Sequence, residues 1–176
     1  MKYVCVVVIL LGAFPAVGED WYAGVGLGFF DVDRKQANAI EPATHFDSST
    51  ANLFVGYDFS KYLGVEVQLE GITRGFETDI DGFRSEFGGY GVSPALIVKY
   101  PLSEQYGMEV FVRAGATYLD YTMANLSLGR KVDETTTQLM FGAGLRSEYF
   151  FVEYVNYGKR HDMALEQLRV GFRSRF

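Results

Sequence analysis

Cysteine, proline, histidine and long apolar runs are all scarce in this chain, and each scarcity closes a route. The single cysteine, Cys5, lies in an apolar stretch near the amino terminus, so the rest of the 176 residues holds none. No disulfide framework or thiolate metal site can be built from it. Beyond that first stretch, no segment stays apolar over the roughly 20 residues that a membrane-spanning helix needs, and the mean hydropathy is +0.03. A helical membrane protein is excluded. Basic residues are outnumbered, 16 Lys and Arg against 22 Asp and Glu for a net charge of −6. With no basic stripe, nucleic acid is excluded as a partner. What the chain has instead is 20 Gly and 16% aromatic residues against 4 Pro, a composition suited to strands, tight turns and interfacial rings.

The amino terminus reads as an export leader over residues 1–18, followed by one domain over 19–176. Lys2 supplies the positive region, Tyr3 to Phe14 the apolar core, and Ala16-Val17-Gly18 a small-residue cleavage site before Glu19. Pro15 breaks the run, which is also short for an uncleaved anchor. Cys5 sits inside the apolar core rather than just after the cleavage site, so it is not placed to become a lipidated terminus. Removing Lys2 from the 16 basic residues leaves 15 against 22 acids, a net charge of −7 for the processed chain.

Eight segments alternate with period two. Trp21 to Phe30 sets Trp21, Ala23, Val25, Leu27 and Phe29 against Tyr22, Gly24, Gly26 and Gly28. Ala51 to Phe59 sets Leu53, Val55 and Tyr57 against Asn52, Phe54, Gly56 and Asp58. After a tight turn at Ser60-Lys61-Tyr62, Leu63, Val65, Val67 and Leu69 oppose Gly64, Glu66, Gln68 and Glu70. Similar segments follow over Tyr90 to Tyr100, from Met108 to Tyr118, around Leu139 to Leu145, around Val152 to Tyr154, and over Leu168 to Phe176. This is the alternation of half-buried strands. Pro94 has no N–H to give a ladder, and it predicts a bulge or an early start to the fourth strand. The seventh strand is the weakest pattern, because Phe151 and Val155 fall on its polar face.

The links between segments alternate short and long. Tight turns join the second to the third, the fourth to the fifth (Pro101-Leu102-Ser103-Glu104) and the sixth to the seventh. Longer polar links lie near Asp31–Ser49, Ile72–Gly88, Thr122–Glu134 and Gly158–Glu166. The pattern predicts an all-β fold: an eight-stranded antiparallel up-and-down transmembrane β-barrel, with short periplasmic turns, long outer loops and both termini on the periplasmic side.

A soluble carrier with an apolar cavity would show the same alternation, and the glycines decide between them. Ten of them lie on the polar face, where they relieve crowding inside a barrel whose eight strands leave only enough interior for side chains. The apolar face therefore meets lipid. On this assignment the lumen collects Asp58, Glu66, Glu70, Glu109, Glu148 and Glu153 with Lys99, Arg113, Arg146, Arg169, Arg173 and Arg175. Matched buried charges predict a cross-linked plug rather than an open pore. Tyr57, Phe59, Tyr62, Tyr100, Tyr106, Tyr149, Phe150 and Phe176 fall at the turn ends, and Phe29, Tyr90, Tyr118, Tyr121 and Tyr154 at the loop ends. These form two interfacial girdles.

Over nearly all of residues 19–176 the chain resembles the small OmpA-like outer-membrane β-barrels, a group that includes surface-antigen and porin-family proteins. The resemblance is carried by Trp21-Tyr22-Ala23-Gly24-Val25-Gly26, by Val55-Gly56-Tyr57-Asp58-Phe59 with Tyr62-Leu63-Gly64-Val65-Glu66, and by Val170-Gly171-Phe172-Arg173 to Phe176. It implies that Phe176, with Phe172, Val170 and Leu168 in its strand, is the signal read by the barrel-assembly machinery. Ser174 departs from the aromatic common near that position.

Some barrels of this size modify lipid A, which makes the histidines candidates for catalysis. His45 lies near Ser48 and Ser49, and His161 beside Asp162; an imidazole could activate a hydroxyl for acyl transfer. Such loop residues are common by chance, and they read here as solvated. Glu77, Asp79, Asp81 and Gly82 mimic the front of a calcium loop, but Gly88 stands where a bidentate glutamate is required. Gly24-Val25-Gly26-Leu27-Gly28 precedes no helix and is lumen packing rather than a nucleotide loop. No catalytic residue, cofactor or metal is therefore assigned. The expectation is a monomeric, surface-exposed outer-membrane barrel of a Gram-negative bacterium with a structural or adhesive role. Its expected partners are outer-membrane lipid, lipopolysaccharide (with Lys159 and Arg160 as phosphate contacts) and a host or surface ligand at the loops. A lipid A-modifying enzyme and a small pore are the alternatives.

Overall fold

The computed structural model describes residues 20–34, 44–78, 84–103, 106–126, 129–160 and 163–176. Eight strands follow in chain order: β1 Trp21–Arg34, β2 Thr44–Asp58, β3 Leu63–Thr78, β4 Arg84–Ser103, β5 Met108–Asn125, β6 Arg130–Arg146, β7 Phe150–Arg160 and β8 Met163–Arg175. Each pairs antiparallel with its chain neighbours, and β8 returns to β1 through Tyr22↔Arg175 to Arg34↔Met163, so the sheet closes. The expected up-and-down barrel is the observed fold. The expected leader lies outside the described residues.

Side-chain parity follows the sequence pattern through the middle of every strand. Leu27, Val67, Leu96, Val112, Leu139, Val152 and Val170 point outward and are exposed, while Tyr22, Gln68, Arg113, Glu153 and Arg169 point inward and are buried. The weak seventh strand keeps the same parity, with Phe151 and Val155 buried inside and Val152 and Tyr154 exposed. Of the expected girdle residues, Tyr121 is a correction: it shares the parity of Leu119, faces inward, and is buried.

The turn end is compact. Ser60 and Leu63 exchange backbone bonds at 3.2 and 3.4 Å, and the Ser60 hydroxyl accepts from the N–H groups of Tyr62 and Leu63 at 3.2 Å. Ser147 does the same for the β6–β7 turn, where its hydroxyl accepts from Phe150 N–H at 3.1 Å. The β4–β5 reversal falls later than expected: β4 runs on to Ser103 past a register shift after Pro101, and Gly107 takes the left-handed conformation at φ 56° that a side chain would disfavour.

The loop end differs most from the sequence reading, because much of the expected loop sequence is strand. β3 to β6 run 16, 20, 18 and 17 residues, where a tilted membrane strand needs about 9–11. Beyond the lipid both faces of a strand can meet water, so pairing continues after the alternation that reveals it has faded. The ring also parts here. The β2–β3 ladder ends at Thr50↔Ile72 although both strands continue, and the β6–β7 ladder ends at Phe141↔Asn156. Strands β3, β4, β5 and β6 thus continue as one upright sheet beyond a ring that has opened on both sides of it. Two side-chain bonds stitch the first gap: Ser48 hydroxyl donates to Thr73 O, and Thr73 hydroxyl to Ser49 O, each at 2.6 Å.

Pro94 needs no bulge, although β4 begins earlier than the alternation shows, at Arg84. Pro94 faces outward in register with Val67, deep inside β4. The register to β5 is the same on either side of it, and the bridging simply lapses at Ser93 and Pro94. Across that lapse Ser93 hydroxyl donates to Thr117 hydroxyl at 2.6 Å, so a side-chain bond spans the place where a backbone bond is lost.

Candidate functional site: the lumen

Inward-facing side chains of all eight strands line the interior of the barrel, and their chemistry changes along its axis. Nearest the turns lies a cation-rich layer. Asp58 is shared by Lys99 at 2.6 Å, Arg175 at 2.9 Å and Arg146 at 4.0 Å. Glu109 pairs with Arg146 and, at 3.3 Å, with Arg173. Rings lie against this layer: the Arg173 and Arg146 guanidiniums stand 4.7 and 5.4 Å from the centre of the Tyr22 ring, and Arg146 is 5.1 Å from that of Phe111. Cations over ring faces are attracted by the ring quadrupole.

Inward glycines make this possible. The Tyr22 ring occupies the space that a Cβ at Gly56 would take, Phe54 does the same at Gly24, and Phe151 packs against Gly26 and Gly171. Phe54 and Phe151 meet edge-on with centroids 5.3 Å apart.

At mid-height the charges form a closed network. Arg113 reaches Glu153 at 2.7 Å, Gln68 at 2.9 Å and Glu66. Arg169 donates to the other Glu153 oxygen at 2.6 and 2.8 Å and also to Gln68. Tyr22 hydroxyl donates to Glu66 at 3.2 Å. One step further from the turns, Gln167 amide donates to Glu70 and Thr50, and Tyr157 hydroxyl lies 2.8 Å from both Glu70 and Gln167. A void among these groups measures about 10 Å³, around the lower limit of roughly 10–15 Å³ for one water.

Toward the loops the filling becomes apolar. Ile97, Phe111 and Met140 lead up to Phe87, Leu119 and Tyr121, and Ile72, Val155, Tyr157 and Leu165 close the same cluster. A wholly polar lumen is thus corrected. The parity of these residues was visible in the sequence, but the expected contrast of polar inside and apolar outside passed over them.

Most of the expected lumen charges are brought together: Asp58, Glu66, Glu70, Glu109 and Glu153 with Lys99, Arg113, Arg146, Arg169, Arg173 and Arg175. Glu148 is a second correction. It stands exposed in the turn after β6, because the chain reverses at Ser147 and the alternation no longer carries past Arg146. Without it the set holds one base more than acids, and the distribution is uneven: four bases meet two acids in the layer nearest the turns, while two bases meet three acids above it. Tyr22, Gln68, Tyr157 and Gln167 belong to the network although no charge marked them in the sequence.

Of the residues that could carry other chemistry, Ser48 and Ser49 have described side chains. Ser48 is buried and spends its hydroxyl on Thr73 O. His161, Asp162, Asp79, Asp81 and Gly82 lie outside the described residues, as do the side chains of His45, Glu77, Lys159 and Arg160. In the last strand Leu168, Val170 and Phe172 face outward and are exposed, while Phe176 N–H donates to Trp21 O at 3.1 Å.

The family model described as the outer membrane protein beta-barrel domain matches residues 3–158. No curated protein matches the chain in sequence. Among solved structures, Neisserial surface protein A is 12% identical with a TM-score of 0.64, covering 89% of this chain and 97% of its own. Ail, the attachment invasion locus protein of Yersinia pestis, in complex with the heparin analogue sucrose octasulfate, is 21% identical with a TM-score of 0.55, covering 88% and 99%. The N-terminal β-barrel domain of Pseudomonas aeruginosa OprF is 18% identical with a TM-score of 0.52, covering 85% and 96%. At these identities the likeness is one of fold.

Proposed function

The chain belongs to the outer membrane protein β-barrel domain family, and from that premise we propose that it is a sealed, monomeric barrel that carries a surface-presenting sheet for contact with other surfaces. The turn end faces the periplasm and the loop end the outside. Residues 1–18 direct export and are removed, and Phe176 with its strand serves assembly. This role involves no catalytic step.

The supporting observation is the length of β3 to β6. About a third to a half of each of these strands exceeds what the membrane needs, and the sheet they form stands beyond the point where the ring has parted from β2 and β7. A barrel that only filled the membrane gains nothing from such a sheet. Sheet edges are templates for pairing with an extended segment of another chain. The four loop-end segments together carry 12 acidic and 8 basic residues, and the acid excess lies in the first two. The favoured partner is thus a protein surface with basic or neutral groups rather than a polyanion like the sulfated sugar solved with Ail.

The test is display of the chain on a non-adherent bacterial strain, followed by binding to cultured cells and immobilised matrix proteins. Adhesion is expected, and it should be lost when the outer β5–β6 hairpin, 122–133, is replaced by a two-residue turn while gel migration still reports a folded barrel. Adhesion that survives this replacement, or never appears, would remove the reading. In planar bilayers the sealed lumen should pass no porin-sized current steps.

A further inference from the structure

The cation-rich layer nearest the turns opens into a cleft that no part of the proposed function uses. The cleft holds about 220 Å³ and is bounded by Ser103, Gly107 and Met108 around the β4–β5 turn, by Ser147 and Glu148 after β6, and by Glu109, Arg173 and Arg175. Two carboxylates, Asp58 and Glu109, already serve all four cations of this layer. Glu148 makes no ion pair among the described residues. Arg173 is buried, lies over the Tyr22 ring, touches Glu109 only at 3.3 Å, and its Nε has no hydrogen-bond partner among the described residues. Arg175 stands at the rim, 44% exposed.

A buried guanidinium with an unused donor and too few counter-charges is costly unless an anion completes it. Guanidinium forks match the oxygens of a phosphate group better than any other side chain does. We propose that this cleft is a binding site for a phosphate group, held by Arg173 from within and Arg175 from the rim, with Glu148 as a competing negative charge at its edge. The phosphate is carried either by a lipid headgroup at the membrane surface or by a soluble phosphate ester. The site is at the opposite end from the loops, and it stands independently of what they touch.

Two probes separate the sources. Glycerol 3-phosphate is titrated calorimetrically into the full chain in neutral detergent. Separately, the chain is taken from vesicles of phosphatidylcholine and phosphatidylglycerol, and retained lipid is weighed by native mass spectrometry. Saturable binding in the first assigns a soluble ester, and selective retention of phosphatidylglycerol alone assigns a headgroup. In either case Arg175→Gln, which removes the most exposed cation of the layer and keeps Lys99, Arg146 and Arg173, should weaken binding about tenfold, the loss expected for one charge-assisted hydrogen bond. Glu148→Gln should strengthen it. Absence of binding in both arms, or equal binding by the Arg175→Gln chain, overturns the proposal.

Discussion

Lys99, Arg146 and Arg173 at one end of the lumen and Phe87, Tyr121 and Leu165 at the other all point inward and are all buried, yet the two ends are stabilised by different physics. Near the turns the ladders close into a full ring, so the backbone already fixes the wall, and the ions inside cross-brace it. Buried ion pairs are weak contributors compared with apolar side chains of the same volume, but losing one partner is expensive. Near the loops the β2–β3 and β6–β7 ladders have lapsed. There the apolar cluster takes over, since burial of each large side chain is worth about 1.5–3 kcal/mol. Buried ion pairs are found where the ring is closed, and hydrophobic burial continues where it is not.

The contrast is broken most severely at mid-height. Arg113→Ala leaves Glu66 and Glu153 without a major buried partner and is expected to cost about 3–5 kcal/mol. Urea unfolding in phospholipid vesicles, followed by the fluorescence of the single tryptophan, Trp21, measures it. In the apolar half Met140→Ala should cost about 2–5 kcal/mol through the cavity it leaves. Amide exchange should then rise first in the outer parts of β5 and β6, with the turn end still protected. Arg175→Gln at the exposed rim should cost less than about 1 kcal/mol in the same unfolding assay, and a loss as large as that at Arg113 would erase the distinction between rim and interior.

The smallest effect belongs to Asp133, in the part of β6 beyond the lipid. Its carboxyl is held below the usual range by the Thr122 hydroxyl, donating at 2.6 Å, and by Lys131 at 3.0 Å. A group depressed on folding stabilises above its unfolded value and loses that contribution as pH falls through the folded one. The β5–β6 hairpin should therefore loosen in acid before the barrel does. Exchange rates of the Thr122 and Asp133 amides against pH, compared with the Asp133→Asn chain, follow it; a flat profile in both chains would remove the contribution.

How legible each part was follows from the same contrast. Leu63 to Glu70 declared a strand, a face and a register because lipid and filled lumen demand opposite side chains. Asp58, Glu66, Arg113 and Arg169 were legible as inward for the same reason. Ile97, Met140, Val155 and Leu165 were harder to recognise, since an apolar lumen beside an apolar exterior gives no alternation. The outer halves of β3 to β6 were hidden for the converse reason: outside the membrane, Thr122, Lys131 and Asp133 can all face water without cost. Glu148 follows a turn that ends the alternation, so its parity carries no information about where it lies.

The β5–β6 ladder runs unbroken from Glu109 to Asn125, whereas β6–β7 is joined only from Phe141 to Arg146, beneath a register shift in β7 where Gly158 adopts φ 77°. The cylinder is therefore sewn unevenly, with one long seam and one short seam on either side of the same strand. A wall built this way has a preferred line along which to tear. The strand that borders it, β6, belongs at once to the tightest part of the hoop and to its loosest join.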